Sequence, residues 1–418
     1  MIRSLRKNRT IIFLVLAVIL FALLTLANFQ FTKESRGGYE FFGNWLSVRK
    51  FLTEGISPYS DQVALEIQDT VYGRPATTGE NPYLFSAPLY SIILHGPFAL
   101  IKNFILARAV WMTVLEISLA AIVLVTLQLT FWKSNRLIMI SLLIFCFFGF
   151  QGVMSLLEGS TIILTTLLAA GILLAMYNKH DEVAGLLLAI ITFDFMPVAL
   201  FCLLIILWSI VKKRTRVITW FLGTLVLLLG LSFLLIPDWF IPFLSNFIDQ
   251  LNGIIPGSPG SVLVDRWGDI GYRISLATTA LITVLIVVEW WQAAGAGSRL
   301  FVWTAMFTLT ASTWIGLKIN PDHYVLLYPA LFLGLELLCE RWKIRVYGIV
   351  LSILALLFFI NWGIYLLTMP GNAAIVISSF LLIPMPFATT FLLYWSKWWV
   401  VKAKKIDLEP TLIEIQRQ

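Results

Sequence analysis

Long apolar runs alternate with short polar ones from one end of the chain to the other. A helix that crosses a bilayer needs about 20 apolar residues. Runs of that kind lie near 10–30, 107–132, 136–156, 158–177, 216–236, 271–292, 299–317, 321–338, 345–368 and 373–396. Two stretches break the rhythm. Residues 183–211 are too long for one span and short for two, and the sequence TFDFMP at 192–197 interrupts them. Pro197 cannot donate its amide and disfavours helix just before it. The pattern predicts a hairpin of two short helices with Asp194 near its tip. Broken helices at membrane depth persist only inside protein or beside a wet cavity, so this break is the first sign of a cavity. Residues 84–104 are apolar but contain Pro88, His95 and Pro97, which suits an interfacial or partly inserted segment. The prediction is an all-α polytopic integral membrane protein with about 10 to 13 membrane helices. It forms a single domain over 1–405, followed by a short cytoplasmic tail, 406–418.

Between the runs, residues 37–60 read GGYEFFGNWLSVRKFLTEGISPYS. Phe41, Trp45, Val48 and Leu52 fall on one helical face, and Glu40, Gly43, Asn44 and Ser47 on another. Such a helix suits the membrane surface, apolar side towards lipid. Composition agrees with the pattern: 59% of the 418 residues are hydrophobic and 13% charged, too apolar for a soluble domain. The net charge of +7 sits in short clusters between apolar runs, as orientation signals do, and does not suggest a nucleic-acid partner. Arg3, Arg6, Lys7 and Arg9 predict a cytoplasmic N-terminus. The clusters at Lys133 and Arg136, at Lys179, at 212–216, at 341–345 and at 397–405 predict cytoplasmic turns. The C-terminus is then cytoplasmic as well. The segments 32–106 and 237–270 fall outside, where they would cover an extracytoplasmic active site. Cys146, Cys202 and Cys339 lie in or at the end of apolar runs without metal or disulfide spacing and read as packing residues.

The candidate chemistry lies in the outer segments. Glu40 opens the amphipathic helix, where an acid also simply suits the helix dipole. Lys318, Asp322 and His323 crowd the mouth of a span that Pro321 can begin, and cations beside free amides make an anion site. Tyr324 and Tyr328 follow at helical spacing. Arg266 and Arg273 could grip a phosphate or equally reach lipid headgroups. Asn44, Tyr59, Asp194 and Tyr324 are candidates for the substrate pocket. His95 reads as a hydrogen-bonded structural histidine. A Walker loop, a zinc-spaced His/Glu set, a nucleophile elbow and a Gly-rich dinucleotide turn are all missing. An acid beside phosphate-binding cations suits transfer from a phosphorylated lipid: the acid takes a proton from an acceptor hydroxyl and the cations stabilise the leaving phosphate. With cations in that role neither a metal nor another cofactor is expected.

Three blocks carry a resemblance. They are Tyr39-Glu40-Phe41 with Trp45, Arg49 and Gly55-Ile56-Ser57-Pro58-Tyr59; Phe85-Ser86-Ala87-Pro88-Leu89-Tyr90 with Pro97-Phe98-Ala99-Leu100; and Asn320-Pro321-Asp322-His323-Tyr324 with Tyr328-Pro329-Ala330-Leu331. In this order they resemble the GT-C glycosyltransferases, most closely the polyprenol-phosphate-mannose-dependent α-mannosyltransferase-like family, glycosyltransferase family 87. The resemblance implies a GT-C-type helical bundle. It also implies a polyprenyl-phosphate-sugar donor, a lipid-linked or surface-glycan acceptor, and inverting, metal-independent transfer at the outer face of the cell membrane. By block, Glu40 takes the place of the catalytic aspartate and His323 that of the donor-phosphate histidine; Arg266, Arg273 or Lys318, read from their own positions, would help it. Two positions depart from the pattern besides the longer acid. The family's Gly-Gln-x-Asn-like turn reads Glu158-Gly159-Ser160-Thr161, and Asp194 stands near where a lysine is expected. These changes imply a different substrate, or a fold kept for non-catalytic polyprenyl-lipid binding or assembly. A lipid or small-solute transporter is the rival of another class, and would also use a broken hairpin.

Overall fold

The computed structural model describes residues 2–35, 37–77, 80–253, 257–315, 320–342, 346–368 and 379–401. The chain is an all-α polytopic membrane protein, without a strand among the described residues. Seven helices are long and apolar enough to cross a bilayer, or eight if α6 (Arg136–Phe148) and α7 (Phe150–Glu158), bent by 46°, count as one span. Other helices of the expected ten to thirteen are shorter, such as α8 (Ile162–Tyr177), α9 (Asp181–Ile190) and α10 (Ala199–Val211). A helix packed inside protein need not match the thickness of the hydrocarbon layer. α14 (Ser298–Ile315) is of this kind, buried over nearly its whole length. The apolar side chains on the periphery, such as Leu234, Trp291 and Phe359, are more than two-thirds exposed, as side chains facing lipid are.

Helices α1 (Ile2–Glu34) and α5 (Phe104–Thr130) run antiparallel, whereas α9 and α11 (Thr215–Leu235) start from the same end. Between α1 and α5, Thr25 and Asn28 both bond Thr113 Oγ1 at 3.1 Å, and Thr32 reaches the Ile105 carbonyl at 3.4 Å. The stretch 183–211 goes in and returns. The start of α9 and the start of α11 are tied by Arg214–Asp181 and by Arg216–Glu182 at 3.1 Å, while Asp194 sits at the turn between α9 and α10. The Lys- and Arg-bearing turns at Lys133 to Arg136, Lys179, Lys212 to Arg216, Arg299 and Arg341 thus share one end of the bundle. The opposite end carries α2 (Tyr39–Glu54), α3 (Asp61–Tyr72), α4 (Ile92–Ala99) and α12 (Phe240–Gly253).

The amphipathic helix forms as expected, but its apolar face does not lie on lipid. Phe41, Trp45 and Val48 are buried in protein; Leu52 is 43% exposed. Phe41 stacks on Trp111 at 5.2 Å and on Phe104 at 6.1 Å, with Phe98 edge-on at 6.3 Å. Trp45 Nε1 and Arg49 cap the end of α4 through the carbonyls of Phe98 and Ala99, at 3.1 and 2.9 Å. Apolar area on this face is thereby removed from water by α4 and α5 rather than by the bilayer. Truncating a buried phenylalanine costs about 3–5 kcal/mol, so the first turn of α2 is held firmly in place. Gly38 (φ 75°) and Gly55 (φ 69°) bound the helix in the left-handed region, where glycine has no steric cost.

Candidate functional site

A cavity of about 370 Å³ opens at the end of the bundle that carries α2. Its wall is drawn from segments far apart in sequence: the first turns of α2, the loop 81–88, the turn after α7, the tip of the 183–211 hairpin, Phe247 of α12, and Asn320 with His323. Both segments expected to lie outside, 32–106 and 237–270, contribute residues to it.

Glu40 is 33% exposed and lines this cavity. Its Oε1 accepts from the Ser160 hydroxyl at 3.1 Å and from the Thr161 amide at 3.2 Å. Its Oε2 lies 3.6 Å from His323 Nε2. Burial pushes the Glu40 carboxyl up, but His323, the Thr161 amide and the Ser160 hydroxyl together outweigh it and hold the group below its ordinary range. The carboxylate is therefore ionised at neutral pH. The donors to Oε1 come from the turn that ends α7. Gly159 (φ 69°) reverses the chain there, and a Cβ at that position would stand 2.6 Å from Phe41 Cβ. Trp111 Nε1 holds the Gly159 carbonyl at 2.8 Å.

His323 lies in the 3₁₀ turn Pro321–Leu327 before α15 (Tyr328–Arg341). Ser155 Oγ donates to the Asp322 carbonyl at 2.9 Å and the Gly152 amide to Tyr328 Oη at 3.1 Å, clamping this turn to α7. Nε2 also lies 3.6 Å from Asp322 Oδ2, and neither ring nitrogen makes a hydrogen bond. Glu40, Asp322 and His323 each present a ligand atom, all within 4.8 Å of one another, a grouping that could hold a metal ion. Asp194 accepts from Thr165 at 2.9 Å and Thr161 at 3.3 Å, so hydroxyls, not cations, answer its carboxylate.

His95 is 1% exposed and also borders the cavity. Its Nδ1 lies 3.2 Å from the Ser91 carbonyl, an acceptor, so Nδ1 carries the proton. Nε2 is then a bare acceptor without a partner. Burial pushes its pKa down to about 4, and the ring is neutral. The expectation of a hydrogen-bonded structural histidine thus holds for one ring nitrogen only.

The structure brings together Glu40, Asn44, Asp194 and His323. It does not bring Arg266 or Arg273 to the cavity. Both are exposed on α13 (Pro259–Gly295), and Arg266 covers the Phe380 ring at 5.0 Å. The chain bends between them at Gly268. Lys318 lies outside the described residues. Tyr59 and Tyr324 are buried and structural: Tyr59 Oη holds the Ala87 carbonyl at 2.8 Å, and Tyr324 Oη the Leu382 carbonyl at 3.2 Å. Helical spacing could not separate a pocket tyrosine from a packing one. Reading the sequence missed Ser160, Thr161 and Thr165 as carboxylate partners and the bare nitrogen of His95. The signal for the first pair was the polar turn Ser160-Thr161 between two apolar runs.

Electrostatics set the character of the site. Glu40, Glu158 and Asp194 line it, while no lysine or arginine does among the described residues. At an effective dielectric of about 20, each carboxylate about 6 Å from an entering phosphate charge opposes it by about 3 kcal/mol. One imidazole does not offset three such terms. The premise behind expecting no metal, cations gripping the phosphate, is therefore not met by Arg266 and Arg273.

No family model, curated protein or solved structure matches the chain.

Proposed function

We propose that this protein is a membrane glycosyltransferase. It moves a mannose-like sugar from a polyprenyl-phosphate donor to a lipid-linked or surface-glycan acceptor, with inversion, in the cavity at the α2 end of the bundle. The observation that carries the reading is the meeting of Glu40 and His323, from opposite parts of the chain, at 3.6 Å on the wall of one cavity. Glu40 Oε2 takes the proton of the acceptor hydroxyl as that oxygen bonds to the sugar C1. The bond from C1 to the phosphate oxygen breaks, and the polyprenyl phosphate leaves with the electron pair. Asn44 and Asp194 offer polar contacts to sugar hydroxyls. Apolar helices beside the site suit a long polyprenyl tail held in lipid. The basic turns at the opposite end support an orientation with both termini in the cytoplasm and the site facing out.

The test is transfer of radiolabelled mannose from polyprenyl-phosphate-mannose to total membrane lipid by purified protein. Glu40→Gln should lower transfer at least about a hundredfold. Equal transfer by both proteins removes Glu40 as the base. Donor binding without transfer in the wild type favours a polyprenyl-lipid-binding or assembly protein, and absence of donor binding favours a transporter.

A further inference from the structure

We propose that Glu40, Asp322 and His323 hold one divalent cation at the wall of the cavity. Two distances suggest it. His323 Nε2 lies 3.6 Å from Glu40 Oε2 and 3.6 Å from Asp322 Oδ2. Hydrogen bonds from nitrogen to oxygen are about 2.7–3.2 Å long, so neither contact is one. With metal–ligand bonds of about 2.1 Å, two ligands about 120° apart on a single ion stand about 3.6 Å from each other. The three ligand atoms converge within 4.8 Å. Both ring nitrogens of His323 are closed off from solvent and neither makes a hydrogen bond, which is costly for a group that coordinates nothing.

The surroundings are those of a ligand set. Ser160 and the Thr161 amide fix Glu40 through Oε1, which leaves Oε2 turned towards the histidine. Ser155 fixes the backbone of Asp322. Supporting hydrogen bonds of this kind orient metal ligands. One imidazole and two carboxylates, with the cavity side open to water or a further oxygen, suit a divalent ion such as Mn²⁺ or Zn²⁺. Charge points the same way, because three carboxylates line the cavity and no arginine or lysine lines it among the described residues; Arg108 acts on Glu158 alone of the three. Where the site handles a lipid phosphate, a statement that rests on the function proposed above, the ion supplies the positive charge that Arg266 and Arg273 do not bring.

The test uses the full-length protein in detergent, stripped with a chelator and titrated with Mn²⁺ under electron paramagnetic resonance. The expected result is one Mn²⁺ per chain with pulsed-resonance coupling to a ¹⁴N nucleus. Asp322→Asn and His323→Gln should each weaken binding at least tenfold, and His323→Gln should remove the coupling. Asp61→Asn, on exposed α3, should bind as the wild type does. Wild-type Mn²⁺ without nitrogen coupling, or equal binding by all variants, overturns the site and leaves an adventitious ion only. The wild-type spectrum decides this even if a variant fails to fold. Undiminished sugar transfer by chelated protein overturns the ion's part and keeps the transfer reading. Nitrogen-coupled Mn²⁺ in a protein that transfers no sugar supports the site and removes that reading alone.

Discussion

At the end of the bundle away from the cavity, acids meet cations directly. Asp181 faces Arg214, Glu182 faces Arg216 at 3.1 Å, Glu340 faces Arg299, and the buried Glu289 meets Lys397 at 2.6 Å. Around the cavity the same chemical groups are treated otherwise. Glu40 and Asp194 are answered by hydroxyls, an amide and an imidazole. A paired carboxylate is spent on holding helices together. One answered by hydroxyls, an amide and an imidazole is left without a lysine or arginine partner, for something that arrives later. Acid content alone would not separate the two ends; the identity of the partner does.

The comparison can be broken by making the same change at both ends. Glu40→Gln should abolish most transfer, as set out above, and change the unfolding temperature little, because an amide can still accept from Ser160 and Thr161. Asp181→Asn should do the reverse. Transfer stays within twofold, while stability falls by about 1–3 kcal/mol, since the Arg214 guanidinium is left part-buried without its charge partner. Thermal unfolding beside the transfer assay decides both. If Asp181→Asn lowers transfer as Glu40→Gln does, the two ends are not functionally distinct.

Acid should sharpen the contrast through His95. Its ordinary pKa of 6.5 falls to about 4 in the folded protein. The unfolded chain therefore takes up a proton below pH 6.5 that the folded one refuses until about pH 4. Stability is lost as pH falls through this window, by about 3 kcal/mol at most. His95→Gln should flatten the unfolding temperature between pH 6.5 and 4. A slope unchanged by the substitution would place the acid sensitivity elsewhere. Glu40 adds nothing in the upper part of this window: its carboxyl is held below 4.5, so its contribution disappears only as pH falls through that lower value. The smallest effect belongs to Arg266→Ala and Arg273→Ala. Both side chains stand away from the cavity, so donor affinity should change less than twofold in a binding assay. A tenfold loss would bring α13 into the site.

Much of the fold was legible because bilayer thickness writes its length into the chain. The apolar runs, the break at TFDFMP and the amphipathic face of α2 each follow from one-dimensional spacing. Glu40 and His323 were legible for a similar reason: a charged group at the mouth of an apolar run has few structural excuses. What stayed hidden depends on which surfaces meet. The apolar face of α2 looks the same whether Phe98 and Trp111 or lipid cover it. Arg266 looks like a phosphate ligand until its helix is oriented. Tyr59 and Tyr324 reach carbonyls that no pattern places. The bare nitrogen of His95 depends on the direction of one hydrogen bond to Ser91.

Gly159 carries a consequence for mutational tolerance. It presents no side chain and performs no chemistry, yet it is closed twice over, by its positive φ and by Phe41 lying where a Cβ would go. In a randomised library this position should admit no replacement, whereas its neighbours Ser160 and Thr161 can exchange one hydrogen-bond donor for another. A change in the length of the acid at position 40 would therefore have to be absorbed by a shift of α2. The turn that grips the carboxylate has no slack to give.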